Sequence, residues 1–104
     1  MQGLERIRLC EFIMGQLRLY TSLDRILGMW VIGSMARGEQ GPVDTGSDID
    51  IWIDTSMNVF KAAEIQRILW DSGVTWRGRR LDIQMKGKPP PKKWPKIELW
   101  SLLD

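Results

Sequence analysis

The segment that most constrains the fold of this chain is residues 48–54, where apolar and polar side chains alternate strictly. Ile49, Ile51 and Ile53 lie on one side of this segment. Asp48, Asp50, Trp52 and Asp54 lie on the other. A period of two with β-branched residues predicts a half-buried strand. Asp48 and Asp50 then point the same way, with Cα atoms roughly 6.6 Å apart. Carboxylates at that spacing repel each other without a cation, so the pattern indicates one or two bound divalent ions.

A glycine-serine step at Gly33-Ser34 follows a short apolar run, residues 29–32, which predicts a central strand. Glycine after such a strand allows a close approach of the backbone to a ligand. Backbone N–H groups and the Ser34 hydroxyl can then face an anion, especially if a helix begins there. A phosphate-binding turn beside a pair of metal-binding aspartates describes a site for a nucleoside triphosphate.

The order of these motifs resembles the minimal nucleotidyltransferases of the DNA polymerase beta superfamily. The motifs that carry the resemblance are Gly33-Ser34, then Ala36-Arg37-Gly38, then Ser47-Asp48-Ile49-Asp50-Ile51. In that family a third carboxylate lies on a later strand, and Asp82 in the alternating segment 80–85 is the candidate here. The resemblance covers most of the chain and implies a polymerase-beta-like core. It assigns catalysis and metal binding to Asp48, Asp50 and Asp82, and phosphate binding to Gly33, Ser34, Arg37 and Ser47.

The resemblance also implies an activity. Two Mg²⁺ ions would bridge the triphosphate, and a nucleoside monophosphate, AMP from ATP, would pass to a hydroxyl. Asp82 would help to deprotonate that hydroxyl. Stand-alone members resemble the antitoxin of gene pairs with a HEPN-domain toxin, so the expected acceptor is a hydroxyl on a partner protein. A homo-oligomer remains open. The alternatives are modification of a small molecule such as an aminoglycoside, a non-catalytic binding module, and modification of an RNA 3′ end.

Composition narrows these classes. The net charge of +2 does not require a nucleic-acid partner, and the absence of histidine excludes histidine bases and ligands. A single cysteine, Cys10, excludes an intrachain disulfide and fits a reducing compartment. No run approaches transmembrane length, and charged residues occupy the N-terminus. We therefore expect one cytoplasmic domain over residues 1–104, with no membrane contact.

The remaining patterns predict an α/β (α+β) fold, a small mixed sheet with helices packed on one face and the aspartate side open to solvent. Helices are expected over residues 4–23 and, capped by Ser56, up to residue 71. Gly28 is expected to precede the first strand, and further strands are expected at 74–76 and 80–85. Residues 34–38 predict a short helical turn and 39–46 a loop. A Lys/Pro tract, residues 86–96, interrupts regular structure, and the apolar segment 97–103 fits either a strand or a helix.

Overall fold

The computed structural model describes residues 3–36 and 48–102, which form a five-stranded mixed sheet and two helices. The predicted fold class is confirmed. The elements are α1 (Gly3–Leu17), β1 (Ile26–Ile32), β2 (Ile49–Thr55), α2 (Val59–Asp71), β3 (Thr75–Trp76), β4 (Arg79–Lys86) and β5 (Ile97–Ser101). The undecided C-terminal segment is thus a strand. The predicted loop at 39–46 lies outside the described residues. No helix in the described ranges is long and apolar enough to cross a membrane.

The order of the strands, β3-β4-β2-β1-β5, places the site-bearing strand at the centre of the sheet. β2 pairs in parallel with β4, and α2 provides the crossover that a parallel pair needs. β1 is antiparallel to β2 and to β5. The first residues of β2 and β4 therefore meet the last residues of β1 at one edge. β3 and β4 form a hairpin whose turn, Arg77-Gly78, has φ angles of 52° and 80°, as a two-residue primed turn requires.

One face of the sheet and both helices enclose the main core. The three alternating isoleucines of β2 and the apolar positions of β4 turn toward the helices, as predicted from their period of two. The buried strand residues in this core are Ile26, Met29, Val31, Ile49, Ile51, Ile53, Leu81, Ile83 and Met85. The helices contribute Leu9, Ile13, Leu17, Ala62, Ile65 and Leu69. Both helices thus cover the same face.

The buried sides of the helices differ from those expected. In α2 the apolar spacing favours a side that includes Val59 and Phe60, but these are 73% and 84% exposed, and Ala62 makes the core contact instead. In α1 the sequence favours a stripe through Ile7 and Leu17, whereas Ile7 is exposed. Each helix has apolar residues on more than one side, so the sheet decides which side is buried.

Several boundaries also differ from the prediction. α1 ends at Leu17 rather than near residue 23, and β1 already begins at Ile26 with Gly28 inside it. The N-cap of α2 is Asn58, not Ser56, because its side chain accepts a hydrogen bond of 2.8 Å from the Lys61 amide. Asparagine and serine are both good N-caps, so the sequence alone did not distinguish the two positions.

The sheet face that bears Asp50 and Asp82, called here the aspartate face, is not open to solvent along its whole length, contrary to the prediction. Trp30 and Trp52 are paired in register on it and are buried. The Lys/Pro tract runs back over them, since the Trp52 indole Nε1 donates a 2.8 Å hydrogen bond to the Lys88 carbonyl. The Trp94 ring meets Trp52 at 5.6 Å in a T-shaped pair. Among the described residues of this face, Asp48, Asp50 and Asp82 at the edge remain partly exposed.

Gly28 offers a direct test of this packing. A Cβ there would run into the ring of Trp30, which is held against the sheet, whereas a Cβ at Gly15 in α1 would meet nothing within 4 Å. We expect Gly28→Ala to lower the free energy of unfolding by about 1–3 kcal/mol through overpacking. Gly15→Ala, the same change in a helix, should raise it by about 0.5–1 kcal/mol. Urea unfolding measures both, and a Gly28→Ala protein as stable as wild type would contradict the placement of Trp30.

Candidate functional site

Two carboxylates face each other at the accessible edge of the sheet. Asp50 on β2 and Asp82 on β4 are register partners in the parallel pair, so their Cα atoms are separated by about 4.8 Å, the spacing of neighbouring strands. Asp48 directly precedes β2, and all three aspartates are partly buried. The structure thus brings Asp82 from one segment of the sequence beside Asp48 and Asp50 from another.

The electrostatics of Asp50 report how close these groups are. Burial raises the pKa of Asp50, and the negative charges of Asp82 and Asp48 raise that pKa further. A hydrogen bond with Asp82, which a protonated Asp50 donates, acts in the same direction. Like charges held this close favour a shared proton or a bound cation. The cluster is therefore a place where positive charge is strongly preferred.

The glycine-serine turn lies against this cluster. Gly33 has a φ of 75°, and a Cβ at that position would collide with Oδ2 of Asp50. Any other residue would both strain the backbone and displace the carboxylate. Gly33–Met35 form a single 3₁₀ turn, closed by the Ala36 amide, which donates to the Gly33 carbonyl at 3.1 Å. Ser34 therefore directly follows the residue that packs against the Asp50 carboxylate, as the motif predicted.

Three arginines near the start of β4 have different surroundings, which the sequence did not distinguish. Arg77 pairs with Glu5 of α1 at 2.8 Å, and the Arg80 guanidinium stacks on the Trp70 ring at 3.4 Å. Arg79 reaches the other way and donates to the sulfur of Met35 at 3.0 Å. Met35 is the last residue of the glycine-serine turn, so Arg79 is the arginine of the three whose charge lies beside that turn. Its position in the hairpin gave no signal of this.

Five of the seven predicted site residues lie at this edge: Gly33, Ser34, Asp48, Asp50 and Asp82. Arg37 and Ser47, the other two, lie outside the described residues. Their assignment to phosphate binding stays a prediction.

The donor set matches a hard cation in type. Carboxylate oxygens are the ligands that Mg²⁺ prefers, and Mg²⁺ in phosphate-transfer sites is held by one or two carboxylates together with waters and substrate phosphates. Within residues 3–36 and 48–102, no three acidic or cysteine side chains are arranged as a complete metal cluster. A metal held by Asp50 and Asp82 alone would need its remaining ligands from water or from a substrate phosphate.

One cavity lies beside the glycine-serine turn, and a larger one lies on the other face of the sheet. A cavity of about 270 Å³ is lined by Ile32, Gly33, Trp94 and Pro95, so it opens directly beside the glycine-serine turn. A larger one, about 430 Å³, lies between α1 and β5 on the helix side of the sheet and includes Cys10 and Trp100 in its lining. The smaller cavity is the one that shares Gly33 with the turn packed against Asp50.

Asp54 shares the aspartate face but not the cluster. It is 8% exposed, its Oδ1 is buried without a hydrogen-bond partner among the residues that the structure describes, and its register partner on β4 is Lys86. The Lys86 ammonium lies over the Trp52 ring at 5.8 Å. Burial raises the pKa of Asp54. Asp54 lies two strand positions beyond Trp52, so its carboxylate is separated from the cluster of Asp48, Asp50 and Asp82.

Two solved structures are similar to this chain in fold. A toxin–antitoxin crystallised with AMP-PNP has a TM-score of 0.54 at 17% sequence identity, with 88% of this chain and 72% of that chain covered. A mutant of the toxin–antitoxin MntA-HpeT, with two aspartate-to-glutamate substitutions two positions apart, has a TM-score of 0.53 at 14% identity, covering 89% and 73%. No protein-family profile and no curated protein matches the chain. The predicted resemblance is thus confirmed at the level of the fold.

The carboxylate of Asp54 gives a pH-dependent prediction. Because its pKa is raised by folding, its charged form costs stability in the folded protein. That cost is absent below the ordinary aspartate pKa and develops as the pH rises through the raised one. We expect Asp54→Asn to be more stable than wild type at about pH 7, with a gain that shrinks toward about pH 3. Urea unfolding across this range measures it.

The matched control is Asp71→Asn, which removes an exposed carboxylate that pairs with Arg67 on the surface of α2. Its effect should be small at every pH, because exposed ion pairs contribute little. A gain from Asp54→Asn that did not change with pH would show that the charge of Asp54 is not its cause.

Proposed function

We propose that this protein is a Mg²⁺-dependent nucleotidyltransferase that moves a nucleoside monophosphate, AMP from ATP, to a hydroxyl group. The observation that carries the proposal is the register pairing of Asp50 with Asp82 directly against the Gly33 turn. A paired carboxylate site supplies metal ligands, and an adjoining turn of backbone N–H groups supplies a phosphate site. Few activities other than chemistry on a metal-bound polyphosphate need a metal site and a phosphate site in direct contact.

Mg²⁺ would be held by Asp50 and Asp82 with Asp48 beside them. Bound there, the metal would offset the charge of the triphosphate and stabilise the charge that develops on the α-phosphate during in-line displacement. The raised pKa of Asp50 supports this placement, since its cause is in part the uncompensated charge of its two neighbours. A cation would remove that repulsion.

The protein groups then have separate tasks. The N–H groups of the Gly33 turn and the Ser34 hydroxyl would bind the β- and γ-phosphates, and Arg79 would add positive charge at the same turn. The acceptor oxygen would attack the α-phosphorus while the bond to pyrophosphate breaks. The acceptor's proton would pass to the carboxylate of Asp82, the member of the cluster that lies on β4.

The acceptor we propose is a hydroxyl on a partner protein, in an antitoxin-like role. Both structural neighbours are toxin–antitoxins, one of them bears a nucleotide analogue, and the other's two substituted aspartates have the spacing of Asp48 and Asp50. Exposed apolar side chains on α1, Leu4 and Ile7, supply surface suited to such a partner, for which a HEPN-type toxin is the proposed identity. Modification of a small molecule is the alternative enzymatic reading.

The metal assignment is tested by two equivalent substitutions on one strand. Asp50→Asn removes a proposed ligand, while Asp54→Asn makes the same chemical change two strand positions further along the aspartate face. We expect Asp50→Asn to abolish Mg²⁺-dependent binding of AMP-PNP, and to slow transfer to an acceptor by at least about 100-fold. Asp54→Asn should leave both unchanged. Isothermal titration with and without Mg²⁺ measures the binding.

Binding of AMP-PNP that needs no Mg²⁺, or that survives Asp50→Asn, would contradict the metal site. Tight metal-dependent binding without any transfer, once an acceptor is supplied, would instead indicate a nucleotide-binding module that neutralises its partner by contact.

The role of Arg79 is tested against its neighbour in the hairpin. Arg79→Gln removes the charge beside the glycine-serine turn, and we expect it to weaken binding of Mg²⁺-AMP-PNP about tenfold, the effect of losing one hydrogen bond to a charged group. Arg77→Gln removes an exposed ion pair with Glu5 and should change affinity little. Equal losses in the two variants would show that only the overall positive charge of the hairpin matters.

A further inference from the structure

The Lys/Pro tract places the indole ring of Trp94 beside the glycine-serine turn. The cavity of about 270 Å³ lies between them and is lined, among the described residues, by Ile32, Gly33, Trp94 and Pro95. We propose that this cavity receives the base of the nucleoside triphosphate, and that Trp94 is the wall on which the base stacks. The inference rests on the proposed function and assigns to it the part of the chain that holds the nucleoside.

The cavity is continuous with the site of the chemistry. Gly33 is one of its lining residues and also the residue against which Oδ2 of Asp50 packs. A nucleotide with its phosphates over the turn therefore carries its base within reach of the cavity. Pockets for drug-sized ligands measure about 300–1,000 Å³, so this one is suited to a single flat ring system.

The chemistry of the lining favours an aromatic ring over a charged or flexible group. Ile32 and Pro95 present apolar surface, and Trp94 is 46% exposed. The Trp94 ring plane lies at 84° to that of Trp52, so this contact does not cover both of its faces. Stacking of a base on an aromatic side chain stabilises a complex independently of the base's hydrogen-bonding edge.

The tract that carries Trp94 is fixed in place before any ligand arrives. The hydrogen bond from Trp52 anchors it at Lys88. On the far side, the Lys96 ammonium donates to three carbonyls of the turn that contains the indole, those of Pro91, Lys92 and Trp94, at 3.4, 3.0 and 3.4 Å. Binding to a wall that is already ordered avoids the entropic cost of ordering it, so the tract acts as a pre-organised platform.

A pocket that reads its ligand by stacking has a characteristic selectivity. Purines offer more ring surface than pyrimidines, so ATP and GTP should bind more tightly than CTP and UTP. Discrimination between adenine and guanine should be weak, because stacking does not read the edge of the base. The selectivity should depend on the ring of Trp94.

The experiment compares three probes with Mg²⁺ by isothermal titration: AMP-PNP, a non-hydrolysable CTP analogue and inorganic tripolyphosphate. Trp94→Ala should weaken AMP-PNP by at least about fivefold, weaken the CTP analogue less, and leave tripolyphosphate unchanged. Trp94→Phe keeps a ring and should retain most of the affinity. Lys93→Ala, an exposed neighbour in the same tract, is the matched control and should change nothing.

Each other outcome overturns the inference. If Trp94→Ala leaves AMP-PNP binding unchanged while Asp50→Asn abolishes it, the base lies elsewhere and the proposed function stands. Unchanged binding with slower transfer would place the acceptor, not the base, against Trp94. Equal losses for AMP-PNP and tripolyphosphate would mean that Trp94 only supports the turn. A wild-type protein that binds none of the probes removes the proposed function and this inference together.

Discussion

The structure depends on the register of one parallel strand pair. β2 and β4 align so that Asp50 meets Asp82 on one face while Ile51 meets Ile83 on the other. A slip by one residue would turn the isoleucines toward the acids and the acids into the core, so burial of the helix side fixes the position of the carboxylates. Packing of the core holds the two carboxylates close together despite their mutual repulsion, which a bound cation would reduce. The packing of the core and the placement of the carboxylates are thus two consequences of the same alignment.

The two faces of the sheet have become specialised. α1 and α2 cover one face with an aliphatic core, while tryptophans and the Lys/Pro tract cover part of the other. Trp52 lies between the two parts of that second face, because it is buried beside the aspartates and its indole also anchors the tract at Lys88. Within residues 3–36 and 48–102, the partly exposed acids of this face lie at the edge where β1 ends and β2 and β4 begin.

The sequence predicted the features that depend on local pattern. The alternation through Asp50 and the turn at Gly33 follow from spacing within a few residues, whereas Asp82 was assigned as the third carboxylate by the family resemblance, and the structure places all three together. The helix faces were predicted less well, because apolar residues lie on several sides of α1 and α2 and only packing selects among them. The path of the Lys/Pro tract depends on a contact between Trp52 and Lys88, which are 36 residues apart. The distinct position of Arg79 likewise exists only in three dimensions.

The central claim is that the aspartate cluster binds a divalent cation together with a nucleotide. Replacing Mg²⁺ by Mn²⁺ makes the metal visible by electron paramagnetic resonance, and ³¹P relaxation then reports its distance from each phosphate. We expect Mn²⁺ to bind weakly alone, to bind much more tightly with AMP-PNP, and to relax the phosphate signals of the bound nucleotide. Asp82→Asn should remove all three effects. Bound nucleotide with unaffected phosphate signals, or manganese binding that is indifferent to Asp82, would contradict this claim.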